Sequence, residues 1–155
     1  MGSYNFKSSG QTQTQRIVET LRQSPVPIGI KTPLRPGSTE GVFAMHFNLA
    51  DAVHDNLRNL LLTNFGERLG IYNFGANLRP LTTEFVSQDN FDAEAVQRIK
   101  SAIAQWMPYV EPEDYISTVN HNDNKNTAVI NITVVYNIAA LSVKKRALQI
   151  TLYVI

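Results

Sequence analysis

A chain of 155 residues with 43% hydrophobic content can close one core of ordinary size and little more. Its 14 basic and 13 acidic residues nearly cancel, leaving a net charge of +1, too weak a field to hold a polyanion by counterion release, so nucleic acid is not favoured as a partner. Without cysteine there is no disulfide and no thiolate nucleophile; no window approaches the ~18 consecutive apolar residues of a membrane span, and the leading MGSYNFKSSGQTQTQ has no hydrophobic signal core.

Residues 1–15 are Gly, Ser, Thr, Gln and Asn with little apolar content, and read as a flexible tail. A short amphipathic helix is predicted over 14–23, with Ile17, Val18 and Leu21 on one side and Pro25 ending it. From 24 to 41, Pro25, Pro27, Pro33 and Pro36 stand among glycines and forbid a continuous helix or a central strand. This stretch reads as an extended arm that needs a surface to lie on, which divides the chain into an arm over 1–47 and a folded domain over 48–155.

The first strong helix is predicted over 48–64. Leu49, Val53, Leu57, Leu60 and Leu61 recur at spacings of three and four, Ala52 fills the same face, and Asn64 and Gly66 are stop signals. A loop rich in Gly and Asn runs to about Pro80, followed by a short apolar piece, LTTEFV. Asn90 announces a second helix as its N-cap; Asp92 and Glu94 sit in the first turn, Val96, Ile99, Ile103, Trp106 and Met107 follow at helical spacing, and Pro108 ends it.

Three β-rich segments close the chain: YISTVN, TAVINITVVY and RALQITLYVI. HNDNKN between the first two predicts a hairpin. In the middle segment Ala128, Ile130, Ile132, Val134 and Tyr136 share one face, with Asn131 and Thr133 opposite. In the last, Leu148, Ile150, Leu152 and Val154 line one face against Gln149, Thr151 and Tyr153. The resulting fold class is α+β: two main helices on a small antiparallel sheet of C-terminal strands, with the proline-rich arm in front.

No catalytic motif survives. His46, His54 and His121 lie far apart without a second ligand at metal-binding spacing, and read most simply as a loop, a helix-surface and a turn histidine. There is no G-x-S-x-G, and Gly66, Gly70 and Gly75 lack the Lys and Ser/Thr of a phosphate-binding loop. No metal or cofactor is expected. One enzymatic alternative needs only two carboxylates, for which Glu67 and Glu84 are candidates: glycoside hydrolysis, with one acid protonated and one ionised.

The loop after the first helix is the most informative stretch. Phe65, Tyr72 and Phe74 are more aromatic surface than a solvated loop carries, so they are either tucked beneath the helices or form a docking surface oriented by Glu67 and Arg68. Lys144, Lys145 and Arg146 precede the last strand, either as a charged gatekeeper or beside an acceptor strand for a neighbour. A segment such as ITLYVI, with no polar tail after it, reads as a strand that is central or covered.

The run LRNLLLTNFGERLGIYNFGANLRPLTTEF resembles the signature region of the baseplate wedge and sheath-initiator proteins of contractile phage tails, a family often labelled lysozyme-like, with relatives in type VI secretion. Leu61-Leu62-Thr63, Gly66-Glu67-Arg68, Phe74-Gly75 and Leu78 fall in register with its pattern. Trp106-Met107-Pro108 resembles its later Trp-x-Pro element, and the likeness spans about residues 48–155. The chain departs from the pattern at Phe65 and Tyr72, where the family usually has proline, so the loop is either less rigid than in relatives or held in shape by these aromatics.

The resemblance implies a structural, non-enzymatic subunit of the virion's tail baseplate, assembled in the host cytoplasm. Its partners would be other baseplate wedge subunits, the tail sheath protein, and tail tube or hub proteins, with no nucleic acid or membrane. Phe65, Gly66, Glu67, Arg68, Tyr72, Phe74 and Gly75 would grip the wedge's helical core bundle. Arg146, Leu148, Ile150, Leu152 and Val154 would template the sheath by strand addition. A peptidoglycan-cleaving baseplate lysozyme is the alternative.

Overall fold

The computed structural model describes residues 26–37, 42–84, 88–122 and 127–154. The short helix predicted over 14–23, and Phe85, lie outside the described residues. The proline-rich segment is not one extended strap but a hairpin. Strand β1 (Gly29–Ile30) pairs antiparallel with β2 (Met45–His46), and Pro36 bridges Phe43. Pro27, Pro33 and Pro36 all lie on the first arm, where each removes a possible ladder donor.

A carboxylate of helix α1 (Leu49–Leu62) holds the hairpin at two points. Asp55 accepts from the Thr32 N–H at 3.0 Å, and the His46 ring nitrogen Nε2 lies 2.7 Å from the same oxygen. Burial pushes the Asp55 carboxyl up, but the Thr32 and His46 contacts outweigh it and hold the group below the usual carboxylate value. His46, expected as a loop histidine, is therefore a buried strand residue with a charged partner.

Helix α1 starts where Asn48 caps it, its side-chain oxygen accepting from the Ala50 N–H at 2.9 Å. It ends at Leu62, two residues earlier than expected, because Thr63 turns extended and bonds back to the Asn59 carbonyl through both its N–H and its hydroxyl. Ala52, Val53, Leu57, Leu60 and Leu61 are buried as their spacing requires. Leu49 departs from that stripe and is half exposed at the first position of the helix.

After a single-turn helix α2 (Leu81–Glu84), helix α3 (Gln88–Trp106) supplies the second apolar seam: Phe91, Ala95, Ile99, Ala102 and Ile103, continued past its end by Met107. Asn90 lies inside α3 rather than capping it, and Ala95 rather than Val96 sits deepest. The first difference follows from a start at Gln88 or before; the second follows from the helical period, which puts Ala95 and not Val96 on the face shared by Phe91, Ile99 and Ala102.

Three strands of 12 residues complete the domain: β3 (Glu111–Asn122), β4 (Thr127–Ile138) and β5 (Val143–Val154), all antiparallel in the order β3-β4-β5. Ile130, Ile132, Val134, Tyr136 and Ile138 of β4, with Leu148 and Ile150 of β5, pack against the helices. Each large side chain so buried contributes roughly 1.5–3 kcal/mol. The opposite face carries Thr118, Asn131, Thr133 and Thr151, with a Thr151 to Asn131 side-chain bond of 2.8 Å.

Two polar ties join α1 to the sheet's inner face. Arg146 Nη2 donates to Asp51 at 2.7 Å, and His54 Nδ1 lies 2.8 Å from the Tyr136 hydroxyl. Burial, seconded by the Arg146 charge, holds the His54 ring below its ordinary value. His54 is thus a helix–sheet contact, not the surface residue the sequence suggested. Lys144, Lys145 and Arg146 lie within β5 rather than before it; Lys145 adopts a positive φ of 51° where the register with β4 shifts, and its N–H bonds the Asn137 side chain at 2.7 Å.

Candidate functional site

The loop from Thr63 to Pro80 has a backbone closed on itself. The Gly66 N–H bonds the Tyr72 carbonyl at 2.8 Å, the Ala76 N–H bonds the Leu60 carbonyl at 3.2 Å, and the Asn77 N–H bonds the Thr63 carbonyl at 3.3 Å. Gly75 has φ +118°, and a Cβ there would stand 2.1 Å from the Thr63 carbonyl oxygen, so no other residue fits. Gly66, at φ +83°, lies under the Tyr72 ring, where a Cβ would meet the ring at 3.1 Å. Tyr72 thus covers the turn at Gly66 with its ring and closes it with its carbonyl.

Asn64 and Glu67 lock the entry to the loop. The Glu67 carboxylate accepts from the Asn64 N–H at 2.8 Å and from its side-chain amide at 2.9 Å, while the Asn64 side-chain oxygen Oδ1 accepts from the Arg79 N–H at 3.1 Å. These bonds, the side-chain one first, hold the Glu67 carboxyl below its usual value. A glycosidase acid needs the opposite, a carboxyl kept protonated by burial. Glu67 is an open, ionised surface group, and the side chain of Glu84 lies outside the described residues.

Arg68 stacks its guanidinium 4.2 Å from the centroid of Phe74, and Phe74 meets Trp106 edge-on at 5.2 Å. Two motifs more than 30 residues apart in the chain are thereby one packed unit, Arg68 on Phe74 on Trp106. The unit borders a half-open cleft of about 670 Å³ between the ends of α1 and α3, into which Asn56, Asn59 and Thr63 also face. The three loop aromatics divide: Phe74 is tucked in, whereas Phe65 and Tyr72 are 46% and 74% exposed. Leu69, fully exposed at the loop tip, escaped the sequence reading. Its signal was present: a lone apolar residue between Arg68 and Gly70 in a stretch built of turns.

The second set of residues is differently disposed. Leu148 and Ile150 are buried on the inner face of β5, Leu152 is half buried, and Arg146 is held by Asp51; the Val154 side chain is outside the described residues. What β5 offers a partner is its main chain, since it lies at the edge of the sheet and pairs only with β4 among the described residues. Among the described residues no group of His, Asp and Glu could hold a metal ion, and no helix is long and apolar enough to cross a membrane.

A family model described as baseplate wedge protein gp25 matches residues 48–142. The chain is similar to one in a cryo-EM structure of the anti-feeding prophage baseplate, with TM-score 0.57 and 21% identity, covering 70% of this chain and 82% of that one. It is also similar to a crystal structure of a putative tail lysozyme from Geobacter sulfurreducens, with TM-score 0.51 and 17% identity over 71% of this chain and 94% of that one. At such identities the likeness is one of fold. No curated protein sequence matches the chain.

Proposed function

This chain belongs to the baseplate wedge protein gp25 family, and on that premise we propose that it is a structural subunit that acts by binding. Its loop over 64–79 docks on the helical core of the wedge, and its β5 edge receives a strand from the first ring of the tail sheath. The tail baseplate is its place in the virion, reached by assembly in the host cytoplasm. Tube or hub proteins are further neighbours of the same particle.

The observation that carries this reading is the position of β5, a 12-residue strand with one side of its backbone unpaired by any described residue. Such an edge pairs with another chain through main-chain hydrogen bonds. The family match ends at Leu141-Ser142, just before β5, so the strand's role rests on geometry, whereas the loop's role rests on both geometry and family. Catalysis has less support: the open, ionised Glu67 is unsuited to be the protonated acid of a carboxylate pair, and the side chain of the other candidate, Glu84, lies outside the described residues.

The test is assembly. Arg68→Ala with Glu67→Ala should leave the helices and sheet folded, by circular dichroism, yet yield tails without attached sheath. Normal contractile tails from the double variant would remove the loop from the docking surface. Turnover of purified cell walls by the wild-type chain, lost on Glu67→Gln, would restore the lysozyme alternative.

A further inference from the structure

The unpaired edge of β5 is not bare along its length. Near its end a half-open groove of about 470 Å³ runs beside it, in the size range of small-molecule pockets. One wall is Thr151, Leu152 and Tyr153; the other is Leu62 at the end of α1 with Leu78 and Thr82 around α2. No described residue of β4 lines it, so the groove lies on the side of β5 away from its partner strand.

Burial falls along the inner face of β5 toward this groove. Leu148 and Ile150 are closed by the helices, Leu152 only half so, and Leu62 across the groove is 42% exposed. Two incompletely covered leucines therefore stand on facing walls. On an added strand, the residue opposite Leu152 points to the same face of the sheet as Leu152 does, which is the helix side. Its side chain enters the space between them.

We propose that the strand accepted by β5 is read by side chain as well as by main chain: it seats a large apolar residue, opposite Leu152, in the groove between β5 and the α1–α2 corner. This rests on the reading of β5 as an acceptor strand. A charged residue there loses hydration against Leu62, Leu78 and Leu152, and the charged residues that also line the groove, Glu67 and Arg79, already act on each other. A polar strand pairs with the backbone but leaves both leucines open. Glu67 lines this groove as well as the cleft beneath the docking loop, so the two sites share a wall.

The experiment uses the full chain and the recombinant sheath subunit of the same tail as probe. Affinity is measured by titration, and strand addition by hydrogen exchange of the β5 amides. Leu62→Trp and Thr82→Trp each fill the groove from a different element at a partly exposed position, so one can decide if the other fails to fold. The wild type should bind with β5 newly protected, and each filled variant at least about tenfold more weakly, the scale of one large apolar side chain losing its burial. A filled variant that binds as tightly as wild type, with β5 protected, overturns the groove and leaves strand addition standing. Wild-type binding without protection of β5 overturns strand addition and the groove with it.

Discussion

The docking loop and strand β5 are opposites in construction. In the loop the main chain is satisfied internally, by bonds such as Gly66 to Tyr72 and Asn77 to Thr63, while Phe65, Leu69 and Tyr72 stand open. In β5 the inner side chains Leu148 and Ile150 are closed into the core, while one edge of the main chain is unpaired among the described residues. A side-chain surface on a rigid turn selects one partner by shape, because its contacts are specific to the groups presented. A main-chain edge accepts any extended segment, and selectivity must come from flanking pockets. On the function proposed above, a subunit built this way would join one fixed neighbour through the loop and accept a strand from a second through β5.

The contrast can be broken by substitutions on each side of it. Ile150→Ala removes a side chain only 2% exposed and should destabilise the domain by about 2–5 kcal/mol in urea denaturation. Because the main-chain edge is unchanged, folded Ile150→Ala should still take up a strand; a loss of sheath binding larger than its loss of folded population would mean that the inner side chains act in the contact. Gly75→Ala forces a Cβ against the Thr63 carbonyl at positive φ and should cost about 2 kcal/mol or more, by the same measurement. Its damage should be local, with exchange rising across 64–79 while β4 stays protected. Damage spread through the sheet would show that Ala76 and Leu78, which this segment contributes to the core, carry the strain beyond the loop.

Much of this architecture is legible in the sequence because it repeats with a period. The buried stripe of α1 and the inner face of β4 follow from spacings of three to four and of two, and the structure departs only at ends, as at Leu49, Asn90 and Lys144, where local capping and register decide. What was not legible depends on contacts between distant residues. Thr32 and His46 meet Asp55 across 23 and nine residues, so a proline-rich arm becomes a pinned hairpin. His54 meets Tyr136 across 82 residues and Arg146 meets Asp51 across 95, so a surface histidine and a gatekeeper charge become helix–sheet ties. The site divided likewise: glycines and aromatics marked the loop, but only the fold separates tucked Phe74 from open Tyr72 and lifts Leu69 to the tip.

Leu69 gives the smallest effect on the isolated chain and the sharpest test of the comparison. Its side chain is fully exposed and touches no core residue, so Leu69→Asp should change folding stability by no more than about 0.5 kcal/mol. An exposed leucine on a loop whose backbone is already fixed loses little on ordering and gains from burial in a partner's pocket, worth roughly 1.5–3 kcal/mol when complete. An aspartate at that tip would instead carry a charge into the contact beside Glu67. Incorporation of the subunit into the baseplate should therefore fall by about tenfold or more in a competition against wild type, while the β5 edge still binds free sheath subunit. If Leu69→Asp enters baseplates as readily as wild type, the tip faces solvent in the particle. The docking surface would then shrink to the cleft bordered by Arg68 and Phe74, and the loop would be a spacer instead of an anchor.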